Sequence, residues 1–144
     1  MPDTNPMTNA SDVRCFQARM QVLPQLLACV REACRHAGLA PPCILRVELA
    51  VEELFTNTVC HGYGVDCDRP IWIETVQSAD GLCVIYQDAA APFDPLTHPD
   101  TPQNWRERPG GQGIALICSL ASRIAYVRSG DRNVLSLAFS ASAV

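Results

Sequence analysis

The chain has 144 residues, of which 48% are hydrophobic and 18% charged, and its net charge is −4. This length suits one domain, and the composition is too apolar for a disordered protein. Acidic residues outnumber basic ones 15 to 11, so we expect no basic surface and no nucleic-acid partner. All eleven basic residues are arginine. The absence of lysine excludes a Walker A loop, the strand lysine of eukaryotic-type protein kinases and Schiff-base chemistry.

The N-terminal residues 1–11 are polar and contain two prolines. We interpret them as a flexible tail that precedes a single domain over residues 12–144. The tail has neither the basic start nor the apolar stretch of a signal peptide. No apolar run approaches the roughly 20 residues that a membrane helix needs. We therefore expect a cytoplasmic, soluble protein with no membrane partner.

The first half of the domain predicts one strand followed by two helices. Residues 13–20 form a candidate edge strand. A helix over residues 24–36 begins at Pro24, which suits a first helical turn, and ends before Gly38. A second helix over residues 43–60 follows a pair of prolines. Its apolar positions recur at helical spacing and are Val47, Ala50, Val51, Leu54 and Thr58.

The second half predicts two hairpins, separated by a long loop and a third helix. Residues 70–77 and 82–87 are the strands of the first hairpin. Residues 91–109 contain five prolines and predict a surface loop, within which residues 94–109 form a candidate lid. The remaining elements are a helix over 114–122 and strands over 123–129 and 133–140. This order predicts an α+β fold, a two-layer sandwich with helices on one face of a mostly antiparallel, mixed sheet.

The eight cysteines form no CxxC pair, and most of them lie within apolar runs. We interpret most of them as thiols of the core, because a buried thiol behaves as a small hydrophobic group. Disulfides or a zinc site remain the alternative. The candidate zinc ligands are Cys60, His61 and Cys67, which would make this a thiol or zinc protein.

Three polar residues of the second helix, Glu53, Asn57 and His61, are spaced four residues apart and project from one side. A carboxylate and an amide one turn apart suit a hard cation and an activated hydroxyl. The amide oxygen can bind Mg²⁺, and the carboxylate can accept a proton from a nucleophile. The alternative is an ordinary solvated helix face.

Asp88 directly follows a predicted strand, where its carboxylate can accept a hydrogen bond from an adenine amino group. The small residues at positions 89–91 allow close approach of a flat ligand, and Phe93 can pack beneath it. The alternatives are that Asp88 only begins a turn and that Phe93 anchors the loop to the core.

A glycine cluster, Gly110, Gly111 and Gly113, opens the third helix. Free backbone N–H groups and the helix dipole make an anion site at such a position, and glycines let phosphates come close. Arg106 and Arg108 lie just upstream and can reach a terminal phosphate. The alternatives are a plain turn and solvated surface charges.

Taken in order, these motifs resemble the boxes of the GHKL (histidine-kinase-like, or Bergerat) ATP-binding fold. Residues 53–57 with 61–63 look like its N box. Asp88 and residues 92–95 resemble the G1 box in the version seen in anti-sigma-factor serine/threonine kinases. Residues 110–114, with 133–135, are similar to the G2 box and closing hairpin. The resemblance covers about residues 13–140, and it departs from the family pattern at Ala90, where that pattern has glycine.

The resemblance implies an enzyme that binds ATP and Mg²⁺ under a mobile lid and phosphorylates a small anti-sigma-factor antagonist protein. It also implies that a sigma factor is a second partner and that the protein can form a homodimer. By position, Glu53 would be the general base, Asn57 the Mg²⁺ ligand and Asp88 the adenine-reading group. The other residues expected at the nucleotide are His61, Ala90, Phe93, Arg108, Gly110, Gly111 and Gly113.

Two other functions stay open beside this one. The first is a non-catalytic module of the same fold that captures a sigma factor or an antagonist, and the alanine at position 90 favours it. The second is the catalytic domain of a sensor histidine kinase, which needs a dimerising helical segment with its own histidine upstream of the first strand.

Overall fold

The computed structural model describes residues 12–94, 96 and 111–141. In this part of the chain the elements are β1 (Asp12–Gln17), α1 (Leu23–His36), α2 (Pro41–Asn57), β2 (Pro70–Ser78), β3 (Gly81–Asp88), α3 (Gly111–Leu120), β4 (Arg123–Ser129) and β5 (Arg132–Ser140). A short 3-10 turn over Met20–Val22 precedes α1, and a π-helical turn over Thr58–Gly62 follows α2. No helix within the described ranges is long and apolar enough to cross a membrane.

The five strands of the described residues form one sheet in the order β1-β2-β3-β5-β4. Every neighbouring pair is antiparallel. The first strand lies at one edge, as its sequence predicts, and both predicted hairpins are present. After β3 the chain passes through α3 to the edge strand β4. The last strand, β5, then lies between β4 and β3. The predicted α+β architecture is therefore confirmed.

Prolines and a glycine set the ends of the two long helices. Pro24 lies in the first turn of α1, and Pro41 and Pro42 begin α2, where a missing backbone N–H costs no intrahelical hydrogen bond. The first helix ends just before Gly38, whose φ of +74° is a conformation that favours glycine. These features follow directly from the sequence.

The core lies between the helices and one face of the sheet. Along β3, alternate residues are buried while those between them are half-exposed, as expected for a sheet covered on one side. The second helix packs against both α1 and α3. All five positions that the apolar spacing predicts are buried, four of them in α2 and Thr58 at the start of the π-helical turn: Val47, Ala50, Val51, Leu54 and Thr58.

The cysteines correct one prediction. Only Cys34 and Cys43 are buried, whereas Cys15, Cys60 and Cys118 are exposed and the remaining three are half-buried. All eight are free thiols. Most are therefore not core residues. An apolar run does not fix burial, because alternate positions of a strand and outward positions of an amphipathic helix face solvent.

Two helix boundaries differ from the predicted ones. The α-helical part of α2 ends at Asn57, and the chain continues as the wider π-helical turn where a helix to residue 60 was expected. The third helix begins at Gly111 and ends at Leu120, so it includes two of the glycines that were expected to precede it. Most of the candidate lid, residues 94–109, lies outside the described residues.

Candidate functional site

The turn that follows α2 is shaped by hydrogen bonds of Thr58. The backbone N–H of Tyr63 donates to the Thr58 carbonyl at 2.7 Å, which closes the wide π-helical turn. The Thr58 side-chain oxygen lies 3.1 Å from the carbonyl oxygen of Leu54, one turn earlier. Single π-helical turns of this kind are frequent at functional sites.

A chain of hydroxyl groups connects this turn to Asp88 at the end of β3. The Tyr86 hydroxyl lies 2.7 Å from Thr58 Oγ1, which lies 2.8 Å from Asp88 Oδ2. A carboxylate only accepts hydrogen bonds, so Thr58 donates to Asp88 and accepts from Tyr86. Burial raises the pKa of Tyr86 well above its ordinary value, which keeps this donor protonated. The end of α2 is thereby joined to the end of β3.

The Asp88 carboxylate has further donors on its other oxygen. The backbone N–H of Ala90 donates to Oδ1 at 3.2 Å, and Asn133 Nδ2 donates to the same oxygen at 2.9 Å. Asp88 is 9% exposed. A carboxylate this deeply buried needs several donors, and within the described part of the chain Thr58, Ala90 and Asn133 supply them.

Ala89, the next residue, is held by two side chains of the loop between α2 and β2. Its N–H donates to the Tyr63 hydroxyl at 2.9 Å, and Tyr63 in turn donates to the Pro70 carbonyl at 2.6 Å. Arg69 donates to the Ala89 carbonyl at 2.7 Å and lies over the Tyr63 ring, 4.2 Å from its centre. Both backbone groups of Ala89 are therefore fixed.

Ala90 is buried and lies directly beside Gly62. A Cβ atom added to Gly62 would lie 3.2 Å from the Ala90 Cβ, which is closer than ordinary van der Waals contact. The methyl group at position 90 thus packs against the one residue of the π-helical turn that has no side chain.

The far side of the site is built by β4, β5 and the start of the loop after β3. The Asn133 side-chain oxygen accepts from the backbone N–H of Phe93 at 3.2 Å and from the Tyr126 hydroxyl at 2.6 Å. Arg128 donates to the same oxygen at 3.2 Å and to the Ala90 carbonyl at 2.8 Å. The Phe93 side chain is exposed, so it does not anchor this loop in the core.

The candidate cation-binding residues lie on α2 itself. Glu53 and Asn57 are half-buried, and Asn57 directly precedes the threonine that bonds to Asp88. Neither side chain has a hydrogen-bond or ion-pair partner among the residues that the structure describes. His61 lies in the π-helical turn and is exposed. A carboxylate and an amide in this setting are available to a ligand.

The candidate phosphate-binding glycines are only partly described. Gly111 and Gly113 lie in the first turn of α3, the part of a helix where backbone N–H groups have no partner within the helix. That helix packs against α2, and its Ile117 is buried in the core. Gly110 and both upstream arginines, Arg106 and Arg108, lie outside the described residues.

Sequence patterns alone did not assign a role to several residues that build the site. Thr58 was recognised only as part of an apolar stripe, although a polar residue at a buried helical position indicates a specific partner. Asn133 lies directly opposite Asp88 in the register of β3 and β5. A predicted pairing of these two strands would have placed the amide beside the carboxylate.

The alternative zinc site has no structural counterpart in the described part of the chain. Cys60, His61 and Cys67 all lie there, and no group of three or more cysteine, histidine or acidic side chains in it is arranged to hold a metal ion. Cys60 and His61 are exposed on the π-helical turn.

One comparison with known proteins found a match. A family model described as a histidine kinase-like ATPase domain matches residues 16–139. The match runs from β1 to β5 and so includes every element that contributes to the site. A comparison with curated proteins found no match.

Proposed function

Because the chain belongs to the histidine kinase-like ATPase domain family, which implies ATP binding, we propose that it is a protein serine/threonine kinase of the anti-sigma-factor type. Its substrates are ATP and a serine or threonine of a small antagonist protein. A sigma factor is a second partner in this proposal, and the protein acts as a homodimer in the cytoplasm.

The observation that carries the proposal is the junction between α2 and β3. The hydrogen bond from Thr58 to Asp88 brings the end of the helix that bears Glu53 and Asn57 to the carboxylate proposed to read adenine. The third helix, with Gly111 in its first turn, packs on the same helix. The second helix is therefore in contact with the helix proposed to bind the phosphates, and the turn that follows it is bonded to Asp88.

The residues present fit Mg²⁺, which prefers oxygen ligands. Asn57 offers an amide oxygen and Glu53 a carboxylate one helical turn away, and neither is used by another described side chain. We assign Asn57 as the ligand. When bound, Mg²⁺ neutralises charge on the phosphate groups.

In the proposed reaction, the chain positions two substrates and moves one proton. Asp88 accepts a hydrogen bond from the adenine amino group, while Gly110, Gly111 and Gly113 admit the phosphates. The serine oxygen then forms a bond to the γ-phosphorus as the bond to the bridging oxygen breaks and ADP leaves. Glu53 accepts the serine proton. His61, Ala90, Phe93 and Arg108 complete the proposed nucleotide site.

A second candidate function is a non-catalytic module that captures a sigma factor or an antagonist. Two observations favour it: three groups of the described residues already donate to Asp88, and an alanine lies two residues after it. Thermal unfolding with and without ATP and Mg²⁺ separates the two. A nucleotide at 100 times its Kd adds roughly 2.7 kcal/mol to the free energy of unfolding, whereas no increase favours the module.

The kinase proposal is tested by Glu53→Gln, with Glu52→Gln as the matched control. Glu52 is the adjacent carboxylate and is exposed. With labelled ATP and antagonist proteins from the same operon, Glu53→Gln should lower phosphate transfer by roughly 10²–10⁴-fold and leave ATP binding largely intact. Glu52→Gln should transfer at the normal rate. A normal rate in Glu53→Gln would refute the assignment of the base.

A further inference from the structure

The amide nitrogen of Asn133 binds the segment that carries Asp88. It donates to Asp88 Oδ1 at 2.9 Å and lies 3.0 Å from the Ala91 carbonyl oxygen and 3.3 Å from that of Ala90. Asn133 is 7% exposed, so water does not compete for these bonds. The nitrogen side of the amide therefore holds both the carboxylate and the backbone that follows it.

The amide oxygen of Asn133 binds a different set of groups. It accepts from the backbone N–H of Phe93, from the Tyr126 hydroxyl and from Arg128. Two of these donors lie on β4, so the amide cannot turn over without losing its acceptors and its donors at once. Its orientation, and with it the nitrogen that faces Asp88, is fixed by the strand beside it.

The hydrogen bonds to Asp88 leave one oxygen less occupied than the other. An ionised carboxylate can accept about four hydrogen bonds, two on each oxygen. Among the described residues, Ala90 and Asn133 donate to Oδ1, whereas Thr58 alone donates to Oδ2. The remaining acceptor position is therefore on Oδ2, and a ligand there must present a single N–H or O–H donor.

We propose that Asn133 is a positioning residue that fixes the Asp88 carboxylate and residues 89–93, and thereby makes the site select adenine over guanine nucleotides. This inference rests on the proposed binding of a nucleobase at Asp88. Adenine presents an amino group to the open position on Oδ2. Guanine has a carbonyl oxygen in place of that amino group, and two oxygens that both accept hydrogen bonds repel each other. Asn133 touches Asp88 and not the base, so it acts through the carboxylate.

The variant Asn133→Asp separates the two sides of the amide. It keeps an oxygen for Phe93, Tyr126 and Arg128 but replaces the donor toward Asp88 by a second carboxylate oxygen. Two carboxylates in contact repel unless they share a proton. We expect the Asp88 carboxylate to lose its fixed position. Ser136→Ala, at a half-exposed position of the same strand, is the control.

The first measurement needs no nucleotide. In hydrogen exchange of the whole chain followed by NMR, Asn133→Asp should speed exchange of the Ala90 amide by at least about tenfold, the effect of losing a bond to a charged group. The Phe93 amide should change little, because its acceptor is kept. If Asn133→Asp does not fold, Asn133→Ser replaces it. This variant loses both the amide nitrogen and the amide oxygen, so exchange should be faster at the Ala90 amide and at the Phe93 amide. Unchanged exchange of the Ala90 amide would overturn the positioning role.

The second measurement is the ratio of the Kd values for GTP and ATP. Asn133→Asp should lower the preference for ATP by at least about tenfold, while Ser136→Ala keeps the normal preference. Faster exchange with an unchanged ratio would overturn the selectivity and leave Asn133 purely structural. A wild-type protein that binds neither nucleotide would refute the proposed function and the selectivity together, whereas the amide exchange would still decide whether Asn133 holds Asp88.

Discussion

The Thr58 hydroxyl lies 2.8 Å from Oδ2 of Asp88 and 2.7 Å from the Tyr86 hydroxyl, so one side chain connects the π-helical turn after α2 to two residues of β3. Thr58→Val keeps the shape of the side chain but leaves a buried carboxylate oxygen and a buried hydroxyl each with one partner fewer. We expect the free energy of unfolding to fall by about 1–3 kcal/mol. Denaturant titration measures it.

Thr58→Ser is the control for that prediction, because it keeps the hydroxyl and loses only a methyl group. It should be more stable than Thr58→Val even though valine buries more apolar surface. Equal or greater stability of the valine variant would show that the hydroxyl contributes nothing at this junction.

Much of the fold follows from local patterns in the sequence. Pro24, Pro41 and Gly38 set helix ends through backbone chemistry that needs no tertiary context. The helical spacing along α2 predicted which of its residues are buried. Such patterns are reliable because each depends on residues a few positions apart.

The parts that local patterns missed depend on contacts between distant residues. Thr58 meets Asp88 thirty positions later, and Asp88 meets Asn133 forty-five positions later. No spacing rule connects such pairs. The π-helical turn was missed as well, and Gly62 at its end lies beside Ala90, a residue beyond β3. A cysteine such as Cys118 was placed in the core because apolar neighbours do not reveal which side of a helix faces solvent.

The Tyr63 hydroxyl should matter to the position of Ala89. It accepts from the Ala89 N–H and donates to the Pro70 carbonyl, and Tyr63→Phe removes both bonds while keeping the ring. We expect a loss of about 1–2 kcal/mol in the free energy of unfolding and weaker binding of ATP, because Ala89 follows Asp88 directly. Denaturant titration and calorimetry measure these effects.

Arg69→Lys is the comparison for Tyr63→Phe. Arg69 is exposed and contributes the stacking over the tyrosine ring and the bond to the Ala89 carbonyl. Since interactions of exposed charged groups are weak, this variant should lose less stability than Tyr63→Phe. The opposite order would mean that the arginine, and not the hydroxyl, holds Ala89.

Burial raises the pKa of the Cys34 thiol to about 12. The unfolded chain ionises this thiol near its ordinary pKa of about 9, so the folded state holds the proton longer. The stability that the neutral thiol contributes is complete below about pH 9 and is lost as the pH rises toward 12. The difference in unfolding free energy between wild type and Cys34→Ala should therefore shrink between about pH 8 and pH 10.5.

Alkylation gives an independent check of the same burial. In the native protein, Cys34 should react with iodoacetamide far more slowly than the exposed Cys60, because the thiolate is the reacting species and it must also be reached. Peptide mass spectrometry after timed labelling separates the two sites. Similar rates at both cysteines would contradict the buried position of Cys34.

The last prediction concerns the contact between Gly62 and Ala90, where a new Cβ on Gly62 would lie 3.2 Å from the Ala90 methyl. Alanine is favoured over glycine in a helical turn by about 1 kcal/mol, but here the contact offsets that gain. Gly62→Ala/Ala90→Gly should therefore be more stable than the sum of the single variants predicts, by at least about 0.5 kcal/mol in a double-mutant cycle. Additive effects would mean that the two residues do not compete for space.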